Sequence, residues 1–461
     1  MTGDEATPFA TLSTVRSLVL VGLLVTAILP ACGGGTPAPS SAGPSSTPAL
    51  ATWGTATKLA DAGRVVQPPF GGPVPPAVRL EGLPDGTAFA LWERMQPETA
   101  SVARFAAGAW EAPVDGSGQG RLDSWLAVSL NGDAIATWGE KVPELGPGYW
   151  SGTRTWARRY VVGNGWGPPV PLQQSPGEFE IPRTIGANIG EPPLHSGVVM
   201  SDGGGAQAFW NRGYPSITFS PSDVYTARLG RAGEWSAEEP VARDNQISLL
   251  RVSRRATLAL WRDPLGKRWP QAFEADRGWQ DRGQSPIYVQ RIALAKGGFA
   301  VTEFGPSTVI ARGLGLNGDL GPPETLLPRM APYDICGDAS GALGFVYADP
   351  DAIVLKYRGA LDAPPTFSTV TRQAPGQPRS PTLTCHVDAS GRVLIVWTAE
   401  GATYVDRYVP GRGLEGTTVI GPGAATAPAI AEVEKGNILV AWAVLTAANS
   451  VEIWWNRLRV P

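Results

Sequence analysis

The chain is poor in the groups that usually carry out chemistry. Its 461 residues include three cysteines and two histidines, and no Cys/His spacing among them would hold a zinc ion. Charged residues make up 17%, below the roughly 25% usual for soluble domains. A net charge of −3 supplies no basic field for nucleic acid, and no acidic block invites a basic partner. No apolar run reaches the about 20 residues needed to cross a bilayer as a helix. Nucleic acid is therefore excluded as a partner, and no metal or cofactor is expected.

Turn formers and tryptophan are abundant instead: 57 Gly, 44 Pro and 17 Trp. Residues 131–166 show how they are used. A turn at Asn131-Gly132-Asp133 leads into Ala134-Ile135-Ala136-Thr137-Trp138, which alternates between small apolar and outward positions. The chain resumes at Trp156-Ala157-Arg158-Arg159-Tyr160, turns at Gly163-Asn164-Gly165 and restarts at Trp166. Alternation bounded by Gly/Asn turns predicts antiparallel strands with one buried face.

Degenerate copies of this unit fill the chain. The strand that follows the turn recurs at 86–92, 132–138, 205–210, 256–261, 298–304, 341–347, 391–397 and 436–442. Six copies end in Trp; the fifth and sixth end in Phe304 and Tyr347. A period of about 50 residues in an all-β pattern predicts a propeller, with four strands per copy making one blade. The eighth copy has no fourth strand. Residues 52–60, however, match Gly165-Trp166-Gly167 and its continuation with no blade in front of them. They should complete the last blade and remove an open edge. The expected fold is all-β, a single propeller of eight four-stranded blades, with seven as the fallback because copies five and six are degenerate.

These copies resemble a tandem repeat common in bacterial secreted proteins and lipoproteins, reading Asp-x-x-Gly-Asn-Ala-x-Ala-x-Trp, then Ile-Trp-Ala-x-Arg-Tyr, then Gly-Trp-Gly. The resemblance covers 51–461 and implies a fold of the broad sialidase-like propeller group. It transfers no functional residue. The N-terminus gives an address: Arg16 precedes an apolar run, 17–31, that ends in Leu29-Pro30-Ala31-Cys32. That run has the length of a secretory signal core. Leu and Ala ahead of the Cys resemble the bacterial lipobox, which implies lipidation of Cys32. Residues 33–48 are almost entirely Gly, Pro, Ser, Thr and Ala, a composition that makes a tether. The expected organisation is a signal at 1–31, a lipidated Cys32 and tether at 32–50, and a propeller at 51–461. The protein is expected in the cell envelope, on the outer membrane.

Candidate chemistry is sparse. A sialidase would carry Asp-box turns and an arginine cluster; Ser129-Leu130-Asn131-Gly132-Asp133 has its Gly one place early and lies between the wrong strands. His386 reads as an ordinary inner-strand residue. Asp338 and Asp388 read as turn residues, because the further carboxylates of a calcium loop are missing. Cys336 and Cys385 fall on neighbouring inner strands, but a one-residue offset aims their side chains differently, so two buried free thiols are expected.

Long connections gather in copies two and three. Residues 139–155 carry Tyr149, Trp150 and Arg154; residues 173–196 carry Glu178, Glu180, Arg183 and His195; residues 211–223 carry Arg212 and Tyr214. All three project from one end of the ring. Long loops on a rigid scaffold are where binding commonly resides. Aromatics mixed with Arg and Glu suit a glycan, a peptide or an envelope protein. The leading expectation is a non-enzymatic binding module or scaffold, with a glycan-cleaving enzyme and a structural envelope subunit as alternatives. A polar, Arg- and Glu-rich axis would favour the enzyme.

Overall fold

The computed structural model describes residues 52–461 apart from 65–76, 96–97, 117–121, 143–151, 174–196, 214–221, 231–232, 243–245, 254–255, 264, 266, 284–285, 288, 305–307, 317–318, 328–332, 350–351, 360–367, 374–382, 435 and 460–461. Cys32, its signal and its tether lie outside the described residues.

The described strands form eight antiparallel sheets, each of four strand positions, arranged as a propeller. In blade one the inner strand is Val78–Gly82, followed by Ala88–Met95, Glu98–Ala106 and the short outer pieces Ala109–Trp110 and Val114–Asp115. Every predicted second strand is present, including Gly298–Phe304 and Leu343–Asp349 in the degenerate fifth and sixth copies. The count is eight and the fallback of seven falls away.

Each blade buries its second strand against the preceding blade. Trp92, Trp138, Trp210, Trp261, Trp397 and Trp442 are all buried. The Trp442 ring, for example, packs in one cluster with Leu394, Val396 and Ile420 of blade seven. Burying indoles of this size at about 25 cal/mol per Å² makes them the main blade-to-blade adhesive. Edge-to-face aromatic groups repeat at the other end of the interface. Phe89 meets Tyr160 and Trp166 of the next blade at ring-centre distances of 5.1 and 5.9 Å. Phe209 likewise meets Trp279 at 5.5 Å, and Trp455 meets Phe105 at 5.5 Å.

The turns between inner and second strands of blades one, two and seven share one geometry. There the N–H of Gly86, Gly132 and Gly391 bonds back to Leu83 O, Ser129 O and Asp388 O. Those glycines have φ of 88, 89 and 73°, the left-handed conformation that a bulged hairpin turn assigns to glycine. Asp338 and Asp388 act as turn residues. Asp338 Oδ1 accepts from Gly341 N and Ala342 N (both 3.0 Å), and Asp388 Oδ1 from Ser390 N at 2.8 Å.

In blades two, four and eight the outer strand pairs around an irregularity, and a polar residue on the third strand bridges it. Arg158 Nε donates to Gly167 O at 2.8 Å, Gln271 Nε2 to Gln280 O at 2.9 Å, and Asn456 Nδ2 to Gly54 O at 3.1 Å. Gly54 belongs to the N-terminal segment, so the same device operates in the closing blade. There Thr52 and Trp53 pair with Arg459 and Leu458, and Thr57–Arg64 pairs further along the same third strand. The first described strand thus completes the last blade.

Two expectations are corrected. Cys336 and Cys385 are disulfide-bonded, with Cα atoms 5.6 Å apart. Asp334 Oδ2 accepts from Cys385 N at 3.0 Å, a contact between the two inner strands beside the bond, and both sulfurs lie in one buried cluster despite the offset. The long connection at 139–155 is shorter than the sequence suggests. The ladder of blade two continues through Glu140↔Arg154 to Val142↔Gly152. Residues 211–213 and 222–223 are likewise paired strand.

Asn456 Nδ2 also donates to Ile420 O at 2.9 Å, joining the closing strand to blade seven. Asn456→Ala leaves the buried Ile420 carbonyl and the more exposed Gly54 carbonyl short of a donor and should cost about 2 kcal/mol in urea unfolding; a loss below about 0.5 kcal/mol would mean that closure does not depend on this contact. Replacing both Cys336 and Cys385 by Ser opens a cross-link spanning 49 residues. By loop entropy this should lower stability by up to about 4 kcal/mol, read as a lower urea midpoint.

Candidate functional site

Two places on the propeller combine polar chemistry with access. The first is a cavity of about 620 Å³ at the ring axis, where inner strands run into the short turns. Its wall mixes Leu80, Leu126, Leu294, Val387 and Ile430 with Arg79, Glu81, Asp338, His386 and Glu432. Close packing of the inner strands builds it. A Cβ on Gly82 would lie 2.1 Å from Glu432 O, and one on Gly337 2.2 Å from Leu294 O. Only glycine allows neighbouring backbones so near.

The charged groups of this cavity are held. The Arg79 guanidinium lies 4.8 Å over the Trp125 ring. Glu432 accepts from Gly436 N (2.9 Å) and Ala389 N (3.1 Å), tying blade eight to the turn of blade seven. Asp338 is committed to its own turn. His386 is half-buried by surface, yet set so deeply in the wall that desolvation pushes its pKa below the ordinary 6.5. Glu432, Asp388 and Asp338 pull the other way and do not prevail. Its Nε2 has no hydrogen-bond partner among the described residues. The axis is therefore polar in part, but its carboxylates serve the frame. Sequence reasoning missed this wall, although Glu81 and His386 share one register, two residues before the first turn residues Leu83 and Asp388.

Further along the axis, Asp334 is pushed up by burial, opposed by the Cys385 N–H, by the positive charge of Arg291 and by the Thr384 hydroxyl. No group of three or more potential metal ligands occurs among the described residues.

The second place is the opposite end of blade two, where the second strand turns into the third. Arg154 is the one predicted binding residue whose side chain is described. Its guanidinium sits 5.8 Å over the Trp156 ring, and the Trp156 indole N–H donates to Glu140 Oε2. Trp156 stands directly opposite the buried Trp138, and Arg154 opposite Glu140. Trp156 is only half-buried. Arg212 pairs with Asp223 in the ladder of blade three. Tyr149, Trp150, Glu178, Glu180, Arg183, His195 and Tyr214 lie outside the described residues. Trp156 and Glu140 were not singled out as binding residues in sequence; the signal was a carboxylate two places after the second-strand Trp, followed by an aromatic on the third strand.

No protein-family model matches the chain, and no curated protein matches it in sequence. Solved structures with a similar course include the BP39L lectin of Burkholderia pseudomallei, at 10% identity and TM-score 0.45, covering 75% of this chain and 99% of that one. The Aleuria aurantia lectin is similar at 9% identity and TM-score 0.34, over 76% and 96%. A prolyl endopeptidase is similar at 13% identity and TM-score 0.41, where 72% of this chain spans 47% of that one. Likeness of this order carries no functional argument.

The state of His386 gives a pH test. Its native pKa lies below 6.5, so the unfolded chain binds the proton more readily. The stability held by the neutral ring is present above pH 6.5 and is lost as pH falls through 6.5 towards the native value. Urea midpoints should therefore decline from pH 7 to 5, and His386→Leu should flatten that decline. Asp334, with its pKa raised above 3.8, acts in the opposite sense: its contribution is present below 3.8 and lost as pH rises through the native value. The single variant separates the two.

Proposed function

We propose that this chain is an exported, lipid-anchored binding module that takes a glycan at the second-to-third-strand end of blade two. The observation that carries this reading is the Trp156–Glu140–Arg154 group. A half-exposed indole is fixed by a carboxylate at its N–H and flanked by a guanidinium. An indole face suits the C–H face of a sugar ring, and a carboxylate beside a guanidinium suits its hydroxyls. The long connection 143–151, with Tyr149 and Trp150, springs from the end of the same hairpin. Export is supported by the Cys336–Cys385 disulfide, since such bonds persist in oxidising compartments, and by the lipobox-like Leu29-Pro30-Ala31-Cys32.

A glycan-cleaving enzyme is the second reading, favoured by Arg79, Glu81 and Glu432 at the axial cavity. The capping role of Glu432 counts against it, because a carboxylate holding two backbone N–H groups is poorly placed to shuttle protons.

A glycan array and a fluorogenic-glycoside screen on residues 51–461 separate these readings. Binding without turnover is expected, with Trp156→Ala weakening it by about thirtyfold, the roughly 2 kcal/mol of an aromatic anchor covered by its ligand. Turnover abolished by Glu81→Gln would transfer function to the axis. In cells, Cys32→Ala should move the protein from the membrane to the soluble fraction; unchanged membrane association would refute the lipid anchor.

A further inference from the structure

The blade-two group is not unique, and its recurrence follows the strand register. In blade four Trp269 stands opposite the buried Trp261, and in blade eight Trp454 stands opposite the buried Trp442. These are the places that Trp156 and Trp138 occupy in blade two. All three third-strand indoles are half-buried. Each donates its N–H to a carboxylate: Trp269 to Asp263 Oδ2 at 3.2 Å, Trp454 to Glu452 Oε2 at 2.9 Å, and Trp156 to Glu140 Oε2. Each group also holds a cation. Arg282 lies 5.9 Å over the Trp269 ring, and Lys58 Nζ sits 3.3 Å from Glu452 Oε1.

The parts arrive by different routes. Glu140 and Asp263 follow the second-strand Trp by two residues. Glu452 comes from the third strand instead, opposite Val444, which is itself two residues after Trp442. The carboxylate thus reaches one cross-strand place from either strand. The cation comes from the third strand in blade two and from the outer strand in blades four and eight.

The fold does not require an aromatic here. The same register is filled by the buried Ser101 in blade one, Val309 in blade five and Val354 in blade six, and by the half-buried Tyr225 in blade three and Tyr404 in blade seven. A blade packs well with a small residue at this position. The three tryptophans pack in part against the blade cores; what sets them apart is an acid on each indole N–H with a cation beside it.

We infer that blades two, four and eight carry three equivalent glycan-binding units, and that the ligand is a polysaccharide chain engaged by more than one of them. This rests on the reading of blade two as a binding site. Around an eight-bladed ring the units stand a quarter, a half and a quarter turn apart, all at the same end. Each unit is small and offers one indole, so a single unit binds a short sugar weakly. Joined sugars engage several units, and the second contact is intramolecular.

The test uses residues 51–461 with soluble β-glucan, mannan and pectin, and the trisaccharide of each, by titration calorimetry. One polysaccharide should bind about a hundredfold tighter than its own trisaccharide. Trp156→Ala, Trp269→Ala and Trp454→Ala should each weaken polysaccharide binding by about tenfold, and the triple variant should abolish it. Asp263→Asn and Glu452→Gln, which leave the indoles in place, should weaken binding in the same direction and control for misfolding. If Trp156→Ala alone abolishes binding while Trp269→Ala, Trp454→Ala and both acid variants bind as wild type, the three-unit proposal fails and the blade-two site stands. If the wild-type chain binds none of the three polysaccharides, both fail.

Discussion

The structure depends on one packing event repeated around the ring: a second-strand indole buried against the preceding blade. Trp92, Trp138, Trp210, Trp261, Trp397 and Trp442 fill this place. Each is larger than a single blade could cover alone, so no blade is complete without its neighbour. The same constraint explains why the first described strand is borrowed by the last blade. An unclosed ring would leave blade eight without its outer strand and with an open, pairing-competent edge. Trp53 and Gly54 take the places that Trp166 and Gly167 take in blade two.

Polar residues then fix what the indoles bring together. Gln271 and Asp406 occupy one register on the third strands of blades four and seven, and each accepts the indole N–H of the buried Trp, at 2.8 and 3.0 Å. In blades two and eight that register holds Arg158 and Asn456, which tie the outer strand instead. One position thus resolves two separate problems, an orphaned donor inside an apolar interface and a gap in the outer ladder. The indole N–H groups of Trp92 and Trp210 find no such acceptor among the described residues, and the two ends of the ring carry other chemistry. At the turn end carboxylates cap turns and join blades. At the opposite end, acids, cations and indoles combine on half-exposed surface.

The repeat, the four-strand blade, the closure by 52–60 and the count of eight were legible in the sequence. They are local properties: alternation, glycine at the left-handed turn position and a recurring terminal Trp each act within a few residues. Tyr347 keeps the same register in blade six, although its strand runs on to Asp349. The turn role of Asp338 and Asp388 was legible for the same reason, since a side chain bonding its own turn needs no distant partner.

Tertiary structure decided the rest. The pairing of Cys336 with Cys385 depends on how blades six and seven bring their inner strands together, which blade packing sets and residue count does not. His386, an ordinary strand residue by sequence, became part of a cavity wall because six different blades converge there. The place of Trp156, Trp269 and Trp454 is fixed by cross-strand register, as is the arrival of Glu452 from the opposite strand to that of Glu140 and Asp263. Sequence spacing determines which residues share a strand face. Only the assembled ring determines which faces of separate strands, and of separate blades, are brought to one place.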